Sequence, residues 1–109
     1  KAGQKFVFQM NEAEKAATRA LQDANLAAAM AEPADLLILD EAGSAWELDM
    51  VDPELLQRAV RERPAGQECV LTAHAPVQWM LDAADYVTEM KCRRHPYQKG
   101  IAARQGIEY

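Results

Sequence analysis

Asp40 and Glu41 follow directly on the run Leu36, Leu37, Ile38, Leu39, so two carboxylates stand at the mouth of an apolar strand. In α/β proteins such a carboxylate can hold the divalent cation of a bound triphosphate, because hard oxygen donors suit Mg²⁺ and the metal neutralises phosphate charge. An acidic strand end that faces solvent, or that caps the next turn, would carry the same two residues. Proteins that bind a triphosphate this way also have a glycine-rich loop with a lysine, whose backbone N–H groups surround the phosphates. The 109 residues contain no such loop. A cation-holding strand is therefore present without its phosphate cradle.

The elements that must position these acids follow from periodicity and punctuation. KFVFQM (residues 5–10) is aromatic and β-branched, as in a strand or strand end. Asn11 can then cap a helix, with Glu14 reaching back in a capping box. That helix runs to Glu32, where Pro33 disfavours helical geometry in the residue before it. Ala16, Ala17, Ala20, Leu21, Ala24, Ala27 and Ala28 recur at helical spacing, which predicts a thin face lying close against a sheet.

Leu36–Leu39 does not alternate and is expected to be a parallel strand covered on both faces. A loop over residues 43–51 leads to Asp52 as a cap and Pro53 as the first residue of a second helix, with Leu55, Leu56, Ala59 and Val60 inward. RPAG (residues 63–66) ends it. CVLT (residues 69–72) reads as a strand, PVQWMLDAA (residues 76–84) as a short helix and YVTEM (residues 86–90) as a third strand. Such alternation predicts parallel strands joined by right-handed crossovers in an open three-layer α/β sheet. Ligands of such sheets sit beyond the carboxyl ends of the strands, where Asp40, Glu41 and Thr72 emerge. Trp46, in the loop, and Trp79, on the short helix, read as packing residues.

Composition sets the outer limits. A chain of 109 residues, half of them hydrophobic, can bury one core and is read as a single domain over residues 1–109. Its net charge of −5 is uneven: residues 1–90 carry −9 and residues 91–109 carry +4, an acidic body with a basic tail. Five scattered basic residues are too few to indicate a nucleic-acid binder. Cys69 and Cys92 form no C-x-x-C pair, which fits a reduced, cytoplasmic protein. No apolar run approaches the ~20 residues that span a bilayer, and no signal peptide is visible. The chain begins at Lys1 without an initiator Met, so a preceding segment is expected.

One further pattern is specific. The stretch ADYVTEMKCRRHPYQKGIAARQGIEY (residues 84–109) has a V-T-E-M strand, an H-P-Y-x-x-G-I turn and a G-I-E plus aromatic ending. In these features, together with LLILDEA (residues 36–42), the chain from residue 6 onward resembles the ATP:corrinoid adenosyltransferases of the P-loop type. The resemblance implies a P-loop NTPase fold of the RecA-like type, and transfer of the 5′-deoxyadenosyl group of ATP to Co(I) of a corrinoid in cobalamin biosynthesis. ATP, Mg²⁺ and the corrinoid would be its small molecules, with neither nucleic acid nor membrane as partner; without the family's phosphate-loop strand, Leu36–Leu39 would lack a neighbour on one edge, so a homodimer or larger assembly is expected. The family's G-x-G-K-G-K-T loop, with the strand and helix that flank it, has no counterpart in these residues. The chain is therefore expected to be the later part of a transferase, inactive by itself. The alternative is a non-catalytic corrinoid- or protein-binding module that has lost nucleotide binding.

The resemblance also assigns roles. Asp40 and Glu41 become the catalytic metal ligands, holding Mg²⁺ directly or through water. Phe6 and Phe8 lie where the family's F-x-W motif sets aromatic rings against the corrinoid, although here the second is Phe; both would serve equally as ordinary strand residues. Thr72 and His74 face the nucleotide, with His74 standing where the family usually has Arg after a Gly, a weaker and titratable cation. His95, Tyr97, Lys99 and Gly100 match the family's nucleotide-side tail segment, and would also suit a packed C-terminal turn. Cys92 and His95 stand at metal-ligand spacing without further partners.

Overall fold

Asn11 Oδ1 accepts the Glu14 backbone N–H at 2.8 Å and starts α1, Glu12–Ala31. The protein is described from a computed structural model covering residues 10–94. Glu12 and Glu14 in the first turn complement the positive end of the helix. Glu32 is extended (φ −77°, ψ 133°), as the following proline requires, and ends the helix where expected. The expected strand over residues 5–10 lies outside the described residues except for Met10.

The orientation of α1 differs from the expectation. Ala16, Ala17, Ala20, Leu21, Ala24, Ala27 and Ala28 are all exposed, and the buried residue is Leu26, with Met30 packed beside it. The helix packs on a second helix rather than laying its alanines on the sheet. Arg19 Nη1 meets Asp49 Oδ1 at 3.0 Å, and the Asp52 N–H donates to Asp23 Oδ1 at 2.7 Å. Alanines offer little apolar area to bury, so two polar tethers and two large side chains on the other face set the rotation.

Leu36–Leu39 forms β1, and Glu68–Leu71 forms β2, one residue earlier than expected. They pair in parallel, Leu36 opposite Glu68 and Leu39 opposite Leu71. The ladder is extended at its ends by Glu68 N–H to Asp35 O at 2.8 Å and Thr72 N–H to Leu39 O at 3.2 Å. Leu37 is buried, and Leu39 and Leu71 pack against the core, yet Leu36, Ile38 (58% exposed) and Val70 face outward. Among the described residues the sheet is thus α/β and parallel, but covered on one face. The expectation of a strand buried on both faces, in a three-layer sheet, is not met there.

Residues 86–90 do not form the expected third strand. Tyr86 is 94% exposed, and Val87 and Met90 are exposed with it. A strand is stable only with a neighbouring edge to pair with, and among the described residues none pairs with this segment.

Residues 43–51 are not all loop. Ala42–Glu47 is a short helix, α2, because Ala42, Ala45 and Trp46 sit at i, i+3 and i+4 and pack into the core. Trp46 is helical, its ring centroid 5.3 Å from that of Trp79, and the Arg61 guanidinium lies 5.5 Å from the Trp79 ring. Asp52 Oδ1 then accepts the Glu54 N–H at 3.0 Å and starts α3, Pro53–Arg61. Leu56, Ala59 and Val60 are buried on its inner side and Leu55 is half-buried, as its spacing predicts.

RPAG ends α3 through Arg63, whose Nε donates to Gln67 O at 2.9 Å and Nη1 to Val60 O at 3.0 Å. Gly66 takes a positive φ of 86° there. The last helix, α4, is Gln78–Ala83, shorter than the expected span of residues 76–84. The core gathers Leu26, Ala42, Val51, Leu56, Ala59, Val77 and Met80 beneath the covered face of the sheet. Cys69, half-buried on β2, has its thiol pKa pushed up by burial, with the Arg63 charge opposing; it stays protonated at neutral pH. Among the described residues, no helix is long and apolar enough to cross a membrane.

Candidate functional site: a carboxylate corner at the strand ends

The parallel register brings the carboxyl ends of β1 and β2 side by side, so that Asp40 and Thr72 leave the sheet as neighbours. The Thr72 hydroxyl donates to Asp40 Oδ1 at 2.7 Å, and Thr72 Oγ1 itself accepts the Glu41 backbone N–H at 2.8 Å. Glu41 is held in the left-handed region (φ 58°, ψ 29°), which costs a non-glycine residue roughly 1–2 kcal/mol. That turn swings the chain from β1 into α2. Strain of this kind persists where surrounding bonds over-determine the backbone.

The Glu41 carboxylate points along the same edge. Its Oε2 lies 3.3 Å from His74 Nε2 and 3.5 Å from Ser44 Oγ. Both partners are open to water, with side-chain exposures of 82% for His74 and 52% for Glu41. Asp40 is exposed as well, and among the described residues its Oδ2 accepts no hydrogen bond.

The donor set is therefore two carboxylates at an open corner, one steadied by a hydroxyl and the other turned toward His74. No third ligating side chain joins them among the described residues. Hard oxygen donors in this number suit Mg²⁺, which usually takes one or two carboxylates and completes its octahedron with water and substrate phosphate. The residues present fit that ion.

Four residues named from the sequence, Asp40, Glu41, Thr72 and His74, thus meet in one corner. Phe6, Phe8, His95, Tyr97, Lys99 and Gly100 lie outside the described residues. Two members of the corner were missed, Ser44 and Gly43. The signal for Ser44 was its position three residues beyond Glu41, within reach on a helix that the sequence reading took for loop.

Gly43 is there for close approach. Its N–H donates to Thr72 O at 3.4 Å, and a Cβ added to it would run into Ala73 Cβ and stand 3.3 Å from Ala73 Cα. Neither contact can swing aside. Gly43→Ala is expected to push α2 away from the Thr72–Ala73 turn and lower stability by about 1–3 kcal/mol, read as a fall in thermal midpoint by circular dichroism. An unchanged midpoint would mean that α2 does not seat on this turn.

The family model of ATP:corrinoid adenosyltransferase BtuR/CobO/CobP matches residues 1–109. A corrinoid adenosyltransferase of Sinorhizobium sp is 35% identical over 75 residues, covering 68% of this chain and 35% of that protein. One from Pseudomonas aeruginosa is 34% identical over 74 residues, covering 68% of this chain and 36% of its own length. Corrinoid adenosyltransferase CobA of Salmonella typhimurium is 31% identical over 75 residues, covering 69% and 38%. The chain thus matches little more than a third of the length of these curated relatives. With the family model spanning all 109 residues, the chain belongs to the ATP:corrinoid adenosyltransferase family.

Proposed function

We propose that this chain supplies the cation-holding part of a corrinoid adenosyltransferase site, which moves the 5′-deoxyadenosyl group of ATP to the cobalt of a reduced corrinoid. The observation that carries the proposal is the Asp40 carboxylate, fixed at 2.7 Å by the Thr72 hydroxyl beyond the ends of two parallel strands. In the reaction Co(I) forms a bond to C5′ as the C5′–O bond breaks, and the bonding pair departs with the triphosphate. Catalysis of such a displacement is positioning, charge neutralisation and exclusion of water. Mg²⁺, when bound, would supply the neutralisation of the leaving phosphates.

In this reading Asp40 and Glu41 would hold the ion, directly or through water. His74 offers the triphosphate a donor where the family more often has Arg. Phe6 and Phe8 toward the corrinoid, and His95, Tyr97, Lys99 and Gly100 toward the nucleotide, belong to the same proposal. So do a P-loop NTPase sheet of the RecA-like type, a cytoplasmic location and a homodimeric or larger assembly. The parallel pairing of β1 and β2 supports the first of these.

The test uses a chimera in which the leading part of the Pseudomonas relative precedes Lys1, beside the 109-residue chain alone. The chimera is expected to form the cobalt–carbon bond, followed by the absorbance change of the corrinoid, and Asp40→Asn to slow it about 100-fold or more at unchanged helical content. The 109 residues alone are expected to bind MgATP weakly or not at all by calorimetric titration, lacking a lysine-bearing loop. A folded chimera whose turnover ignores Asp40→Asn and Glu41→Gln at low magnesium refutes the proposal. One that binds corrinoid without turnover supports a binding module instead.

A further inference from the structure

Thr72 stands out because every polar group it has is turned back on the β1–α2 corner. Its N–H donates to Leu39 O at 3.2 Å and its carbonyl accepts from Gly43 N–H at 3.4 Å. Its hydroxyl proton goes to Asp40 Oδ1 at 2.7 Å, and a lone pair of Thr72 Oγ1 takes the Glu41 N–H at 2.8 Å. A hydroxyl has one proton to give. Thr72 cannot donate to a phosphate without releasing Asp40.

We propose that Thr72 is a positioning residue, a clasp between the two strand ends that aims the Asp40 carboxylate at the cation and holds Glu41 in its left-handed turn. The cation part of this rests on the proposed function above; the clasp does not. A donor on Oδ1 leaves Oδ2, among the described residues, as the oxygen of Asp40 without a partner, and fixes the rotation of the carboxylate. A hydrogen bond to the carboxylate also removes alternative rotamers that would turn it into solvent. The Glu41 N–H, the first donor of the turn, needs an acceptor that its own backbone cannot supply in the left-handed region. Threonine suits both tasks, because its branched Cβ restricts χ1 and holds the hydroxyl in one direction. The two bonds are coupled through one oxygen, so metal geometry and backbone conformation at Glu41 change together.

The experiment uses the 109-residue chain, with Thr72→Val, which keeps the shape and loses the hydroxyl, Thr72→Ser, which keeps the hydroxyl, and Asp40→Asn. Two quantities are read. One is amide exchange at Glu41 without metal; the other is the Mn²⁺ concentration at which paramagnetic broadening of the amide signals of residues 40–44 is half complete. Thr72→Val is expected to speed Glu41 exchange about tenfold, the loss of one ordinary hydrogen bond. It is also expected to raise the Mn²⁺ midpoint about tenfold or more, as removal of an outer partner of a metal ligand does. Thr72→Ser is expected to stay within about threefold of the parent in both, because the hydroxyl remains.

The near-ultraviolet dichroism of the Trp46–Trp79 pair serves as the fold control. Thr72→Ala takes the place of the valine variant if that signal is lost. Parent-like Glu41 exchange and parent-like Mn²⁺ midpoint in the valine or alanine variant overturn the proposal. If instead Asp40→Asn leaves the Mn²⁺ midpoint unmoved, the cation reading fails, and Glu41 exchange alone still decides whether Thr72 is a clasp.

Discussion

Leu56→Ala is expected to leave the chain without a cooperative thermal transition. Leu56 is 3% exposed on the inner side of α3, where it joins Leu26, Ala59, Val77 and Met80 in the core. Truncating a leucine so enclosed costs about 2–5 kcal/mol, the lost transfer energy plus that of the cavity left behind. Domains of this size are stable by only ~5–15 kcal/mol, so a loss of this size is a large fraction of the total. The substitution thus removes a large part of what holds the helices on the sheet. Leu21→Ala on the exposed side of α1 is the control, expected to change stability by less than about 0.5 kcal/mol. A Leu56→Ala protein that melts cooperatively within a few degrees of the parent would show that the core lies elsewhere.

The second large effect is on association. Ile38 and Val70 are opposite one another in the register and Leu36 is two residues back, so three aliphatic side chains form a strip on the face that no described residue covers. Among the described residues each strand is also paired along one edge only. Unpaired N–H and C=O groups beside apolar side chains are a template for a second chain. Light scattering is expected to give a mass above the 12.1 kDa of one chain, rising with concentration. Amide exchange in Leu36–Leu39 is expected to be faster than in a strand flanked on both sides. Ile38→Lys is expected to return the protein to a single-chain mass, since the site is exposed in the monomer and a charge there resists burial. A monodisperse monomer with those four amides strongly protected would mean that another part of the chain covers this edge.

The elements that the sequence announced most clearly are those with local punctuation. Asn11 and Asp52 cap α1 and α3 through their own side chains, and Pro33 ends the first of these helices, so each boundary is set by residues within a few positions of it. The Asp40–Glu41–Thr72–His74 corner was legible for a different reason: parallel strands of equal length bring their carboxyl ends together, and the residues just past those ends share one edge. Features decided by distant partners were not legible. The rotation of α1 depends on Arg19 finding Asp49 and Asp23 finding Asp52, about 30 residues away, and no periodicity within the helix encodes those partners. Tyr86 and Val87 look like a strand because β-branched and aromatic residues suit pleated surfaces, but a strand is made by its neighbour, and propensity says nothing of whether one exists. Gly43 is a weak helix former, so residues 43–51 read as loop, whereas Ala42, Ala45 and Trp46 pack into the core as a helix.

The bond from Thr72 to Asp40 spans 32 residues of chain, and the register pairs of the β1–β2 ladder are as far apart. Closing a loop of that size costs entropy before any rung forms, while α1 and α3 close each hydrogen bond within one turn. The corner is thus late in the order of assembly. Helices are expected to gather first and the two strands to zip afterwards, with the carboxylates reaching their final geometry only when the last bond, Thr72 N–H to Leu39 O, is in place. On the way out the order reverses, and the tip of the ladder frays before the helices melt. A cation bound at Asp40 would draw its affinity from the fraction of molecules in which that bond is closed, so temperature would erase metal binding well before it erased helical signal.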